Sequence, residues 1–159
     1  MPVPVSVLED VKSSPLLSDF DDGDLARLAE VMELVGFAKG DPVFDQETGG
    51  DSLFLITAGQ VGVVRKTAKE KTRERLLAVV GAGECIGEMA LADGGTRSAS
   101  VIALEPVEAL RLEAAVYQSM RDTDPKLAIK LSLGIFRLLS KRLRQINKSL
   151  EIVHYWMFA

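Results

Sequence analysis

The stretch GEMALADGGTRSAS, Gly87 to Ser100, sets Glu88 and Arg97 in a run made mostly of glycine and other small residues. Arginine stays charged and can donate two parallel hydrogen bonds to a pair of oxygens. Good helix formers occupy Glu88 to Ala92, while Gly94, Gly95 and Thr96 form a turn that should leave any hydrogen-bonded ladder. A short helical turn there would aim free amides outward. Amides, a dipole end and a guanidinium fork together suit an anion, most naturally phosphate. One arginine matches the single charge of a phosphodiester, whereas a triphosphate commonly needs magnesium and a Walker-type lysine; no GxxxxGK[ST] occurs. Glu88 would be unhelpful beside the phosphate, but its carboxylate can accept from a sugar hydroxyl, as an acid does for ribose in dinucleotide-binding folds. A small nucleotide with one diester and a free ribose hydroxyl satisfies both side chains. The competing reading is a plain ion pair between Glu88 and Arg97.

Three zones of periodicity must position these residues. In PLLSDFDDGDLARLAEVME, Pro15 to about Glu33, Leu25, Leu28 and Ala29 fall on one helical face after acids suited to a helix start. From about Val35 to Leu112 the pattern changes to short β-branched or aromatic runs: PVFDQ, SLFLITAG, QVGVVRK, RLLAVV, SASVIAL and VEALRL. This spacing predicts an antiparallel sandwich or barrel, with Gly40, Gly49, Gly50, Gly59 and Gly83 in turns that need unusual backbone angles. After Asp124, a cap, and Pro125, a first-turn residue, Leu127, Leu131, Leu138, Ile146 and Leu150 recur at mostly helical intervals. That is one long helix, or two separated by a bend near Leu133 and Gly134. Residues 1–14, with two early prolines, read as a flexible end, and 15–159 as a single domain with a helical region from about residue 113.

Composition removes several functions. At 159 residues, 47% hydrophobic and 26% charged, the chain reads as an ordinary soluble globule. A single cysteine, Cys85, leaves no intramolecular disulfide, and with only His154 beside it a zinc site has too few ligands. Cys85 reads as a small apolar filler, and a reducing cytoplasm is the simplest location. The N-terminus lacks a basic region followed by an apolar stretch, and no membrane span is expected. Metal pairs, a G-x-S-x-G elbow and a histidine beside a nucleophile are missing, so no catalysis and no cofactor are expected. The net charge of −4 conceals twelve acids against three bases in residues 1–51, and seven bases without an acid from Lys126 to Lys148. The basic run reads as a solvated helix face, and no nucleic-acid reader accompanies it.

The order GDPVFDQETGGDSLFLITAGQV, then LLAVVGAGECIGEMALADGGTRSASVIAL, then a long helix resembles the cyclic nucleotide-binding domain family. That family includes the bacterial catabolite activator, regulatory subunits of cAMP-dependent protein kinase and cyclic nucleotide-gated channels. The likeness runs from roughly Leu16 to Leu150. Its most specific part is the phosphate-binding cassette, GE, a small and a large apolar residue, then RSA after a glycine-rich turn. The resemblance implies a mainly β jelly-roll barrel with a short N-terminal helix and long C-terminal helices. It implies a ligand site of Gly87, Glu88, Met89, Ala90, Arg97, Ser98 and Ala99. In it Arg97 and the amides of Ala90 and Ser98 take the phosphate, and Glu88 with the Gly87 backbone takes the ribose hydroxyl. Serine at 98, as in the catabolite activator, leans toward cAMP, with cGMP as the alternative.

The base would meet the last helix, where Ile146, Asn147 and Ser149 stand at the positions of interest. Asn147 can present an amide to an adenine edge, and His154, Tyr155, Trp156 and Phe158 of the tail HYWMFA are candidates to stack on it as a lid. The alternative is that these aromatics pack on the barrel or a partner. The sequence ends within ten residues of Leu150, so no helix-turn-helix is expected. The expected action is on a protein partner or a second copy through the C-terminal helix, with a ligand-independent interaction module as the rival reading.

Overall fold

Between Glu33 and Glu113 the side chains alternate faces along short strands, and this alternation builds two layers. The structure, a computed structural model, describes residues 3–67 and 70–158. Its strands are β1 Glu33–Phe37, β2 Pro42–Phe44, β3 Ser52–Ala58, β4 Val61–Thr67, β5 Glu70–Val80, β6 Cys85–Ile86, β7 Ser100–Ala103 and β8 Val107–Glu113. They form two four-stranded antiparallel sheets, in the orders β1-β8-β3-β6 and β2-β7-β4-β5. This is the expected jelly-roll barrel.

The first sheet is apolar on both faces, which is why SLFLI reads as a continuous hydrophobic run. Phe54, Ile56, Ile86, Val107 and Ala109 point into the barrel and pack with Val61, Val101 and Ala103 of the second sheet. Their neighbours Leu53, Leu55, Cys85, Leu110 and Leu112 point the other way, into a layer of helices. Each fully buried leucine in that layer contributes about 1.5–3 kcal/mol.

The helical layer comprises α1 (Val5–Glu9), a 3₁₀ turn at Pro15–Leu17, α2 (Asp22–Val31), α4 (Ala114–Thr123) and α5 (Pro125–Phe158). A further helix, α3 (Glu88–Asp93), interrupts the barrel wall. Asp21 and Asp24 close a reciprocal capping box on α2, and Asp24 also takes Lys130 of α5 and Arg27. Burial alone would raise the Asp24 carboxyl, but Lys130, the Asp21 amide and Arg27 outweigh it and hold it below the usual carboxylate range. Asp124 caps α5 by accepting from the Leu127 amide at 3.3 Å.

Three expectations are corrected. The segment 1–14 is not a loose end from Val3 onward, Met1 and Pro2 lying outside the described residues. Val3, Leu8 and Val11 are buried in the helical core, and the Ser14 hydroxyl donates to the Gly83 carbonyl. Gly49 and Gly50 keep ordinary backbone angles, and the positive φ of that loop falls on Glu47 at 66°. The helix before the barrel stops at Val31, so Glu33 opens β1 opposite Arg111. Of the two readings of the last region, one long helix holds: α5 is a single 34-residue helix with no break at Gly134. That glycine serves close packing: a Cβ there would lie 2.7 Å from the Leu16 carbonyl carbon and 2.9 Å from its Cα.

Because those contacts are backbone, they cannot yield as a flexible side chain would. Gly134→Ala should therefore destabilise the fold by about 1–3 kcal/mol, the usual cost of overpacking, and thermal unfolding should register it as a drop of roughly 2–4 °C per kcal/mol. An unchanged Tm would show that α5 and the 3₁₀ turn do not pack this closely.

Candidate functional site

The cassette begins where β6 ends. Cys85 faces the helical layer and Ile86 the barrel interior; Gly87 then turns the chain with φ of 78°, and α3 starts at Glu88. A Cβ on residue 87 would lie 2.7 Å from the Ser52 carbonyl oxygen and collide with the guanidinium of Arg97. Glycine is therefore required for close approach as well as for its backbone angle.

Arg97 reaches back beneath this turn. Nη1 donates to the Gly87 carbonyl at 3.2 Å and Nη2 to the Ser52 carbonyl at 2.8 Å. Its backbone is fixed on both sides: the Arg97 amide donates to Thr48 O at 2.9 Å, and the Glu47 amide donates to Arg97 O at 2.9 Å. Thr96 forms a bridge with Gly49. The guanidinium carbon lies 4.0 Å from the centre of the Phe44 ring, within cation–π range.

The arginine is only 5% exposed, yet its charge is poorly compensated. The carboxylate paired with it among the described residues, Asp51, is itself exposed and stands 4.0 Å away. The buried Nε finds no hydrogen-bond partner among the described residues. Burial accordingly pulls the Arg97 pKa below its ordinary value, with Asp51 and Glu88 only partly opposing it. An anionic neighbour would offset the desolvation of such a cation.

Glu88 does not pair with Arg97. Its Oε1 accepts from Arg142 Nη1 of α5 at 2.8 Å, while Arg142 Nη2 donates to the Cys85 carbonyl. Its Oε2 is approached by the Cys85 thiol at 4.0 Å. The plain Glu88–Arg97 ion pair is thus not formed, and the acid and base, held by different partners, line one cavity. That cavity, of about 110 Å³, is lined by Phe44, Val63, Ile86, Val101 and Arg142 together with Gly87–Met89 and Thr96–Ala99.

Six of the seven expected cassette residues, Gly87, Glu88, Met89, Arg97, Ser98 and Ala99, meet at this cavity, and Ala90 falls within α3. The expected lid is not brought there. Asn147, His154, Tyr155 and Trp156 are exposed on the last turns of α5, which continues straight. At 1.5 Å per residue, Trp156 lies about 20 Å further along the helix than Arg142. The tail aromatics contact one another instead, His154 with Phe158 at 4.6 Å and Tyr155 with Trp156 at 6.1 Å.

Two further residues line the cavity without a motif to mark them. Phe44 is an ordinary strand aromatic in the sequence, and only the fold sets it against Arg97. Arg142 lies in the run that reads as a solvated basic face, yet it continues the buried stripe of Leu127, Leu131 and Leu138 by four residues, a spacing visible in the sequence. Lys130 and Arg137 likewise pair with Asp24 and Asp19 rather than remaining purely solvated.

Comparison with known proteins identifies the family of the chain. The model of the family described as cyclic nucleotide-binding domain matches residues 34–124, more than half of the chain. A cyclic AMP receptor protein from Thermus thermophilus is 32% identical over 145 residues, 91% of this chain and 64% of that protein. The cGMP-dependent protein kinase isozyme 1 of Drosophila melanogaster is 39% identical over 104 residues, 65% of this chain and 14% of the kinase. The chain therefore spans less than two thirds of either relative. Among solved structures, the N-terminal domain of a transcriptional regulator from Streptomyces coelicolor A3(2) has 35% identity and a TM-score of 0.70, covering 89% of this chain and 94% of that one. A cyclic nucleotide-binding domain from Methylobacillus flagellatus has 30% identity and a TM-score of 0.78, covering 87% and 77%. Among the described residues, no helix is long and apolar enough to cross a membrane.

Cys85 tests the local packing. It is fully buried, and burial above all, with the Glu88 carboxylate adding to it, pushes its thiol pKa well above the ordinary thiol range. Since the thiolate is the reactive form, an aromatic disulfide reagent at pH 8 should leave Cys85 unmodified in the folded protein and titrate one thiol per chain in denaturant. Rapid labelling of the native protein would show that the cassette opens freely.

Proposed function

The chain belongs to the cyclic nucleotide-binding domain family, and we propose that it is a non-catalytic sensor that prefers cAMP and signals through α5. The observation that carries this reading is the buried, poorly compensated Arg97 guanidinium sharing a cavity with Glu88. A cyclic phosphodiester brings the single negative charge that Arg97 lacks, with the amides of Ala90 and Ser98 assisting. Glu88 accepts from the free ribose hydroxyl, and the apolar wall of Val63, Ile86 and Val101 covers the sugar ring. Serine at 98 and the likeness to a cyclic AMP receptor protein support cAMP over cGMP, while the likeness to a cGMP-dependent kinase is the counterweight.

Output runs through α5. Leu139, Leu143, Ile146, Leu150, Val153 and Met157 recur at alternating spacings of four and three, and all are exposed. Such a seam suits a second helix, either from a protein partner or from a second copy of this chain. Ligand acts by shifting the population of α5 positions, and the size of the shift is the difference in ligand affinity between them.

A thermal-shift titration of the wild type and Arg97→Ala with cAMP, cGMP and linear AMP tests the site. Ligand at about a hundred times its dissociation constant stabilises by roughly 2.7 kcal/mol, or about 5–11 °C at roughly 2–4 °C per kcal/mol. The expected result is a shift of that size with cAMP, a smaller one with cGMP at equal concentration, none with linear AMP, and loss of the shift in Arg97→Ala. No shift with any cyclic nucleotide at millimolar concentration would instead leave an interaction module acting through the α5 seam.

A further inference from the structure

We infer that the last two turns of α5, residues 152–158, are an interfacial anchor for an anionic lipid surface, with Lys141, Arg144 and Lys148 leaning on its headgroups. This surface lies outside the nucleotide cavity, and the inference does not depend on what that cavity binds. Three observations carry it.

The first is the distribution of apolar side chains around the helix. From Leu139 to Leu150 the exposed apolar residues keep to one seam, which a single neighbouring helix can cover. Val153 and Met157 continue that seam, but at about 100° per residue Ile152, Tyr155, Trp156 and Phe158 all face at least about 100° away from it. Residues 152–158 contain no Lys, Arg, Asp or Glu, and Trp156 and Phe158 are 79% and 73% exposed. A helix apolar on every side calls for an apolar surrounding, and a partner on the seam leaves those four side chains in water. A bilayer interface surrounds the tip instead, and Trp and Tyr, apolar bodies with one polar atom, are the residues favoured at that depth. Such an anchor lies in the interface without crossing it, and no helix among the described residues is long and apolar enough to cross.

The second is charge. From Lys126 to Phe158 the chain has seven bases and one acid, Glu151. Lys130, Arg137 and Arg142 are held by Asp24, Asp19 and Glu88, whereas Lys141, Arg144 and Lys148 form no ion pair among the described residues. These three line one side of α5, roughly opposite the seam, and Lys148 stands one turn before Ile152 on that side. A cationic stripe running into an aromatic tip is complementary to anionic headgroups over an acyl boundary. The seam stays free for a second helix. The third is reach. Leu138 is the last buried residue of α5, and at 1.5 Å per residue Ile152 stands about 20 Å further along the axis. Residues 1–51, with twelve acids against three bases, would be repelled by an anionic surface. A separation of about 20 Å is roughly two Debye lengths at 0.1 M salt, so the tip engages while that repulsion is screened.

Trp156 is the sole tryptophan of the chain, so its emission reports on the tip directly. The full chain, without nucleotide, is titrated with vesicles of phosphatidylcholine alone and with vesicles containing about 30% phosphatidylserine. The expected result is emission moving to shorter wavelength and co-sedimentation with the anionic vesicles, and little of either with phosphatidylcholine alone. Replacing Lys141, Arg144 and Lys148 together by Gln should weaken the partitioning about a hundredfold, at roughly fivefold per base. Salt at about 1 M, where the Debye length is about 3 Å, should weaken it in the wild type as well. Trp156→Ser combined with Phe158→Ser should abolish the co-sedimentation. All of these positions are exposed, so an unchanged Tm shows that each variant is folded. Unchanged emission and no sedimentation at millimolar anionic lipid would overturn the anchor. Emission already at short wavelength without lipid, moving to longer wavelength as the protein is diluted, would overturn it in favour of a second copy around the tip. Equal binding to both vesicle types, unaffected by the glutamine variant, would overturn the role of the basic stripe.

Discussion

A guanidinium buried without an equal counter-charge is the constraint around which this domain is arranged. Solvating Arg97 by the two carbonyls of Gly87 and Ser52 requires the chain to pass close on both sides, and residue 87 must then lack a side chain. The arginine backbone must be held too, which the Glu47–Thr48 turn does through two hydrogen bonds, at the cost of a positive φ on Glu47. Phe44 covers one face of the cation and packs on Phe54, whose neighbours form the barrel core. Carbonyls and a π face offset part of the desolvation of the charge and leave a remainder for an anion.

The same strands connect this interior to the helices outside. Alternation along β3, β6 and β8 sends one residue into the barrel and the next into the helical layer, so Ile86 lines the cavity while Cys85 lies under α5. Glu88 follows two residues later and is reached by Arg142 from that outer layer. One side chain therefore connects the cavity to α5.

Periodic and motif-rich stretches are legible in the sequence. The β runs, the capping signals of α2 and α5 and the Gly87–Ala99 cassette are local signals, and each landed where its pattern pointed. Tertiary choices were harder to read. Whether Val3, Leu8 and Val11 bury depends on a hydrophobic surface that only the assembled helical layer provides. Glu88 has two arginines within reach of its spacing and topology, and only the fold decides in favour of Arg142. Gly134 looks like a bend in sequence because glycine weakens a helix, but its reason is the Leu16 backbone lying against it. The aromatic tail has a composition that suits a base, whereas uninterrupted helix carries it past the cavity.

That uninterrupted helix poses the last physical question. Isolated helices are marginal in water, and protein helices owe most of their stability to tertiary packing of one face. From Leu143 to Phe158, however, α5 packs on nothing among the described residues while keeping leucine, isoleucine and valine on a seam. A surface of this kind is costly when left in water and favourable when covered. The basic residues Arg137, Lys141, Arg144 and Lys148 lie beside the seam rather than within it, which leaves its apolar contact intact. Arg142 stands at the boundary between the helix half that the domain stabilises and the half that an outside surface must stabilise.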